Sequence, residues 1–253
     1  MAKLIEIVNF LDKYLRVGEI EDNAINGLQV DGREDVKKVA LAVDACLDVF
    51  DRAKDLGADM IIVHHGLFWK DTDPRIVGFA RKRIEALLTN GISLYAAHLP
   101  LDSHPDAGNN AVMGRLIGLS LLKPFGNYHG VSCGYSGQLK KEYDLDDFLR
   151  LVEEKIGKIR VRHLFGAKKI RCVGIVSGGG AFAVGEMEKD GIDILISGEQ
   201  QHVSYNPTRE LHVNAIYLGH YDSEVFGVKA LGEKLKEKFR DVDTVFVDNQ
   251  TEL

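Results

Sequence analysis

Residues 56–66 read LGADMIIVHHG, and the interpretation of the whole chain starts from this stretch. Its apolar run, Met60 to Val63, is too short for a helix and too continuous for an exposed edge, which is typical of a strand buried on both faces. Similar apolar runs occur at 39–43 and 92–97, and helical patterns lie between the three. The resulting order β-α-β-α-β predicts an α/β fold whose parallel strands are joined by right-handed crossovers.

Helices are predicted where apolar residues recur every three or four positions. The N-terminal residues MAKLIEIVNFLDKYL have this spacing, with charges between, and do not form the apolar core of a signal segment. Two further helices are predicted at 47–56 and at about 75–88, with Leu56 and Ile76 facing inward. The stretch 122–137, which contains one proline and four glycines, has the composition of a linker.

The second half of the chain repeats this plan. KKVALAVDA at 37–45 is similar to KIRCVGIVSGG at 169–179, LGADMIIVHHG at 56–66 to DGIDILISGEQ at 190–200, and NGISLYAAH at 90–98 to LHVNAIYLGH at 211–220. Similarities in the same order indicate an internal duplication, although short apolar strands also resemble one another by chance. We therefore expect two similar α/β repeats with mixed sheets, the first at 1–125 and the second at 126–210, completed by a C-terminal strand and helix at 211–253.

Charge and cysteine content argue against several classes of protein. The 32 basic and 38 acidic side chains give a formal net charge of -6, so the charge does not indicate nucleic-acid binding. No apolar run reaches the roughly 18–20 residues that span a bilayer. Cys46, Cys133 and Cys172 lack C-x-x-C spacing and lie in apolar surroundings, which predicts buried thiols in a reducing compartment. We expect a cytoplasmic protein without membrane contact.

Nitrogen and oxygen donors occupy the ends of predicted strands. They are His64, His65, Asp102, His220 and Glu224. Ligands of open α/β sheets gather at the carboxyl ends of strands, where these side chains fall. Each residue alone also has a simpler explanation, which is packing or capping for the histidines, capping for Asp102 and a helix N-terminal charge for Glu224.

Taken together, the donors favour two metal ions over one. A single catalytic metal with an open position usually takes fewer protein ligands, whereas two metals that share a bridging carboxylate would use all of them. We therefore predict a dinuclear site bridged by Asp102 or Glu224. Because no cysteine is among the donors, divalent Zn, Fe and Mn all remain candidates. His98, Glu199 and Asp222 are candidates for orienting the ligands or transferring protons, since a ligating imidazole normally donates its other N–H to a carboxylate or carbonyl.

Two neighbouring motifs each leave two interpretations open. VSGGGA at 176–181 can cradle an anion, but it lacks the lysine of a Walker A loop, and a tight strand-to-helix turn explains it as well. Trp69, beside the histidine pair, can stack on a flat ring or anchor the core.

Several motifs in combination are specific. They are NGLQVDG at 26–32, GADMIIVHHGLFWK at 57–70, LYAAHLPLDSHPDAGNN at 94–110, VSGGG at 176–180, ISGE at 196–199 and GHYDSE at 219–224. Together they resemble the NIF-three-like family, whose members are often named GTP cyclohydrolase I type 2 homologues. The resemblance implies a NIF-three-like fold, a toroidal homohexamer built from dimers and a dinuclear metal site. The implied ligands are His64, His65, Asp102, His220 and Glu224, with His98 as an adjacent polar group.

The resemblance also implies a small-molecule substrate, GTP, whose guanine imidazole ring is opened by attack at C8 with release of formate. A two-metal centre would equally suit phosphoester hydrolysis of a nucleotide or nucleic acid. A third alternative is a non-catalytic, ring-shaped metal-binding scaffold with a regulatory role. The leading hypothesis is a metal-dependent hydrolase of the GTP cyclohydrolase type in which His98 assists proton transfer, although fold analogy alone does not identify a substrate.

Overall fold

The chain forms two compact units in a computed structural model that describes residues 1–251. The first unit comprises Met1–Leu101 together with Val228–Asn249, and the second comprises Asp102–Gly227 and continues from Gln250. These units follow the distribution of contacts within the chain. The boundaries expected from the sequence, after residues 125 and 210, were drawn from the similarity between the two repeats. They stay a prediction of where each repeat ends.

The helices and strands are numbered in chain order. The strands are β1 (Ala2–Lys3), β2 (Gly27–Val30), β3 (Asp35–Val36), β4 (Lys38–Asp44), β5 (Met60–His65), β6 (Ser93–Ala96), β7 (Leu119–Tyr128), β8 (Val131–Asp144), β9 (Val161–Leu164), β10 (Lys169–Val176), β11 (Ile194–Ser197), β12 (Asn214–Tyr217) and β13 (Asp243–Phe246). The α-helices are α1 (Leu4–Leu15), α2 (Leu47–Asp55), α3 (Gly78–Asn90), α4 (Leu99–Asp102), α5 (Asn109–Leu116), α6 (Leu145–Lys155), α7 (Met187–Asp190), α8 (His202–Glu210) and α9 (His220–Lys238). Short 3-10 helices cover Val17–Glu19 and Gly180–Glu186. Among residues 1–251, no helix is both long and apolar enough to cross a membrane.

The first unit is built on a five-stranded sheet of order β13-β4-β5-β6-β2. Its first four strands are parallel, and β2 pairs with β6 in the antiparallel sense. The apolar run Met60 to Val63 in β5 is fully buried, as expected for a strand covered on both faces. Phe50 and Ala53 of α2 and Leu87 of α3 belong to the core of this unit. The β-α-β-α-β order predicted for this region is confirmed.

The second unit contains a six-stranded mixed sheet of order β7-β8-β10-β11-β12-β9. Strands β10, β11 and β12 are parallel, whereas β8 and β9 run antiparallel to their neighbours. Ile175, Ile196 and Ile216 of the central strands share one core with Phe148 of α6. The order β10-β11-β12-β9 repeats the order β4-β5-β6-β2 of the first unit, with the same strand directions, which supports the predicted duplication.

The linker predicted at 122–137 is wrong, because β7 and β8 form a long antiparallel hairpin there, with Tyr128 opposite Val131 at its turn. Three of its four glycines, Gly126, Gly134 and Gly137, lie within these strands, and Gly130 lies in the turn. A Cβ atom on Gly134 would lie 2.3 Å from the carbonyl oxygen of Ile175, so only glycine permits this approach of the neighbouring strand. Composition alone does not separate a glycine required by close backbone contact from one that marks a linker.

Three smaller predictions fail at the ends of elements or in degree of burial. Helix α3 begins at Gly78, whose φ of +57° prevents helical geometry from extending further back, and Ile76 is 57% exposed. Helix α2 ends at Asp55, and Leu56 is 42% exposed. Cys133 is buried as expected, whereas Cys46 and Cys172 are only half-buried. Apolar spacing therefore identified the helices but not their first or last residues.

Candidate metal centre

Three histidines of the first unit gather at the carboxyl edge of its sheet. His64 and His65 are the last residues of β5 rather than following it, and His98 comes shortly after the parallel neighbour β6. The ring centroid of His64 lies 4.6 Å from that of His65 and 5.1 Å from that of His98. Each ring offers a nitrogen within 4.8 Å of the other two, and these three residues are named the imidazole group.

All three rings use Nδ1 for a hydrogen bond within the unit. The acceptors are the Ala97 carbonyl oxygen for His64 at 2.8 Å, Asp44 Oδ1 for His65 at 2.8 Å and both carboxylate oxygens of Asp22 for His98 at 3.0 Å. Because the partners are acceptors, Nδ1 carries the proton in each ring, and in the neutral imidazole Nε2 keeps its lone pair. This is the form in which a histidine binds a metal ion through Nε2.

Asp22, which no sequence motif singled out, is the acceptor beneath His98. Its buried carboxylate also accepts hydrogen bonds from the backbone N–H groups of Ala24 and Leu99 and from the amide of Asn26. Burial acts to raise the pKa of Asp22, but the hydrogen bonds that its carboxylate accepts from His98, Asn26 and Ala24 prevail and lower it to about 2. The carboxylate is therefore ionised at neutral pH.

Trp69 lies against the imidazole group. Its ring centroid is 5.0 Å from that of His98, in an edge-to-face arrangement, and 6.1 Å from that of His65. The indole is half-buried. The ring packs on the imidazoles themselves, and both of its interpretations, stacking on a flat ring and anchoring the core, stay predictions.

Asp102, His220 and Glu224 gather in the second unit and are named the carboxylate group. Asp102 ends α4, and the other two residues lie in the first turns of α9. His220 Nε2 is 3.2 Å from Glu224 Oε2, and carboxylate oxygens of Asp102 and Glu224 lie within 4.8 Å of each other. Both carboxylates are almost fully buried. Buried carboxylates this close repel one another unless a cation neutralises them, so the arrangement fits a divalent ion.

Neutral donors fix the orientation of Asp102. Asn109 Nδ2 at 2.9 Å and Ser177 Oγ at 3.0 Å both donate to Asp102 Oδ1. Asn109 Oδ1 in turn accepts the backbone N–H of Gly227 at 2.6 Å, which determines which way round its amide lies. The alternative that Asp102 caps the following helix does not hold, because the N-cap of α5 is Gly108.

His220 lies between two carboxylates. Its Nδ1 is 2.6 Å from Glu199 Oε1, so Glu199 occupies the orienting position expected of it. Burial acts to lower the pKa of His220, but the carboxylates of Glu224 and Glu199 prevail and raise it to about 9. The carboxylate group therefore stabilises positive charge next to Glu224, as a metal site must. Asp222 differs from expectation, since its carboxylate pairs with Arg160 at 2.8 Å instead of with an imidazole.

The VSGGGA motif forms the tight strand-to-helix turn that was one of its two interpretations, since it joins β10 to the 3-10 helix at Gly180–Glu186. Gly178 shows why the turn needs glycine. Its φ of +56° is in the left-handed region, and a Cβ atom there would lie 2.3 Å from Glu224 Oε1 and 3.1 Å from His220 Nε2. Its backbone N–H donates to Ser223 Oγ at 2.9 Å, which holds the loop against α9. Glycine is required here because the backbone passes directly beside two members of the carboxylate group.

The chain matches one family along almost its whole length. The model of the Duf34/NIF3 (NGG1p interacting factor 3) family matches residues 2–252. The chain belongs to this family, and the resemblance read from its motifs is confirmed.

Relatives and solved structures agree with this assignment. The "GTP cyclohydrolase 1 type 2 homolog" of Pyrococcus abyssi is 43% identical over 249 residues, covering 98% of each chain, and that of Archaeoglobus fulgidus is 45% identical over 250 residues, covering 99% of each. The solved structure of protein ybgI, described as of unknown function, has a TM-score of 0.92 at 33% identity. That of TTHA1606 from Thermus thermophilus has a TM-score of 0.90 at 39% identity, and both matches cover 100% of each chain. The predicted α/β fold with mixed sheets is thereby confirmed.

Proposed function

We propose that the protein is a metal-dependent hydrolase with a dinuclear site. The proposed ligands of the two divalent ions, which are Zn, Fe or Mn, are His64, His65, Asp102, His220 and Glu224. The observation that carries the proposal is the shared pattern of the imidazoles, each of which gives its Nδ1 proton to a carbonyl or carboxylate and directs Nε2 to metal binding or proton transfer. The exclusively nitrogen and oxygen donor set suits these ions.

The names of the relatives support GTP as the substrate, and the proposed reaction opens the imidazole ring of its guanine with release of formate. Divalent ions at this site would generate a nucleophile from water near neutral pH and polarise the ring under attack. His98 Nε2 would accept a proton during the attack. Asp22, ionised and 3.0 Å from His98 Nδ1, would stabilise the imidazolium that results.

Incubation of the metal-reconstituted protein with GTP tests the reaction. We expect formate and a fluorescent pterin product, and we expect His98→Gln to slow formate release by about 10²–10⁴-fold, the usual contribution of a general base, while the bound metal is retained. Phosphate without formate would instead support a phosphohydrolase acting on nucleotides or nucleic acid. If neither product forms at full metal occupancy, the result would support the non-catalytic, ring-shaped metal-binding regulatory scaffold.

The assembly proposed from the family resemblance is a toroidal homohexamer built from dimers. Apolar side chains exposed on the single chain support association, since Ile76, Val77 and Phe79 are 57%, 62% and 71% exposed. Light scattering at micromolar concentration is expected to give six times the chain mass of 28.1 kDa. A monomer or a plain dimer would contradict the hexamer.

A further inference from the structure

A cavity of about 370 Å³ opens in the second unit beside Glu199, the residue that orients His220. Residues at or just after the ends of β11 and β12 line it, together with Arg160 and Val161 at the start of the antiparallel strand β9. Its volume is in the range of small-molecule sites, and it has the position at strand ends where α/β sheets bind ligands. Its lining includes neither a proposed metal ligand nor the proposed general base.

The lining of the cavity suits a flat ring. Gly198 and Gly219 contribute backbone without side chains, and position 198 has to be glycine because a Cβ atom there would lie 2.6 Å from Ser223 Oγ. Val161 supplies the apolar part, because the side chain of Tyr217 is almost fully buried. A narrow surface of peptide planes and one aliphatic side chain leaves room for a flat ring.

The polar groups at the cavity provide both an acceptor and donors. Glu199 Oε1 accepts the Nδ1 proton of His220 at 2.6 Å, whereas Glu199 Oε2 makes no hydrogen bond to any other residue within 1–251. Arg160 supplies a guanidinium whose plane is held by the Leu218 carbonyl oxygen at 2.9 Å and by Asp222 at 2.8 Å. A ring that carries an N–H group next to a carbonyl matches this combination.

The charges of the cavity disfavour phosphate. Arg160 is the single cationic side chain of the lining, and it is already paired with Asp222, while Glu199 adds a negative charge. The cavity therefore has no excess of positive charge with which to bind a triphosphate.

We propose that this cavity binds the purine base of the substrate, with Glu199 accepting an N–H of a guanine-like ring and Arg160 donating to its carbonyl or ring nitrogen. This inference rests on the proposed function, because it places the reacting base next to His220, a proposed metal ligand. Glu199 thereby serves as a specificity-determining residue in addition to orienting the imidazole.

Calorimetric titration of the metal-loaded protein with guanosine, which lacks phosphate, tests the cavity. Val161→Trp fills the cavity and is expected to weaken guanosine binding by at least roughly tenfold, because the indole occupies the volume of the ring. The matched control Val203→Trp, on the 76% exposed Val203 of α8, is expected to bind guanosine as the wild type does. Unchanged guanosine binding by Val161→Trp, or no binding by the wild type at millimolar concentration, would overturn the inference.

A second variant tests the role of Glu199 if Val161→Trp does not fold. Glu199→Gln keeps an oxygen for His220 Nδ1 but replaces the second acceptor, so the preference for guanosine over adenosine is expected to fall by roughly tenfold. An unchanged preference for guanosine over adenosine would contradict the assignment of Glu199.

Formate release from GTP by the wild type is measured separately. Guanosine binding without formate release would reject the proposed reaction and leave the cavity site standing. If Val161→Trp releases formate from GTP at the wild-type rate, only the cavity site would be rejected.

Discussion

Replacing His65 by alanine is expected to weaken metal binding by at least about 100-fold, because it removes a ligand, whereas loss of a residue that only orients a ligand typically costs about 10–100-fold. Asp44 is such an orienting residue, since its Oδ1 accepts the Nδ1 proton of His65 at 2.8 Å. The loss of metal affinity in Asp44→Ala should therefore lie in the range of about 10–100-fold. Metal content after gel filtration, measured by elemental analysis on samples of equal circular dichroism, gives the comparison.

His129→Ala is the control for this series. His129 lies in the turn between β7 and β8 and belongs to neither donor group, so its removal should leave the metal content unchanged. Equal metal content in His65→Ala and His129→Ala would count against the assignment of ligands. Equal losses in His65→Ala and Asp44→Ala would show that the orientation of the ring, and not its nitrogen, controls binding.

The second large effect is on stability, since Asp22→Ala is expected to lower the free energy of unfolding by about 3–5 kcal/mol. The substitution leaves the buried N–H groups of Ala24 and Leu99 without their acceptor and removes the partner of His98. Urea unfolding followed by the fluorescence of Trp69, the single tryptophan and a residue of the same unit, measures the loss. Asp73→Ala is the control, because its ion pair with Arg75 is exposed to solvent and its loss is expected to leave the free energy of unfolding nearly unchanged.

The pH dependence of this stability difference has a definite sign. The pKa of Asp22 is lowered from an ordinary value of 3.8 to about 2, so its carboxylate stabilises the folded chain above the ordinary value and loses this effect as the pH falls toward 2. The difference between wild type and Asp22→Ala should thus be largest at neutral pH and shrink between about pH 4 and 2. A difference that stays constant over this interval would contradict an ionised, hydrogen-bonded Asp22.

The strand-end donors could be predicted from the sequence because their placement follows from local rules. A continuous apolar run predicts a buried strand, and the residues at its carboxyl end share one edge of the sheet with those of its parallel neighbours. His64, His65 and His98 come together in this way at the ends of β5 and β6. The same rule placed His220 after β12 and Glu199 after β11.

The supporting residues could not be predicted because they act through tertiary contacts that no local pattern marks. Asp22 lies in the loop before β2, and its role depends on backbone groups and a histidine more than 70 positions away. Asn109 connects Asp102 to the backbone of Gly227, again across a long separation in the chain. Gly178 appeared as one glycine among three, and only the packing of Glu224 against it explains why this position excludes a side chain.

The hairpin at β7 and β8 shows the same difficulty in the fold. Glycine and proline usually mark turns and linkers, and the stretch 122–137 contains four glycines and one proline. Here Gly134 and Gly137 lie inside β8, where neighbouring backbone oxygens would be within 3 Å of an added Cβ atom. Gly134 meets Ile175 of β10, a strand that is distant in the chain, and composition does not reveal such a contact.

The number of metal ions bound per chain tests the central claim most directly. The wild-type protein, reconstituted separately with Zn²⁺, Mn²⁺ and Fe²⁺ and freed of excess metal, is analysed for its elements and its protein concentration. We predict two bound ions per chain in the wild type and fewer in the His65→Ala variant. A stoichiometry of one or none with every metal, at intact folding, would contradict a dinuclear hydrolase.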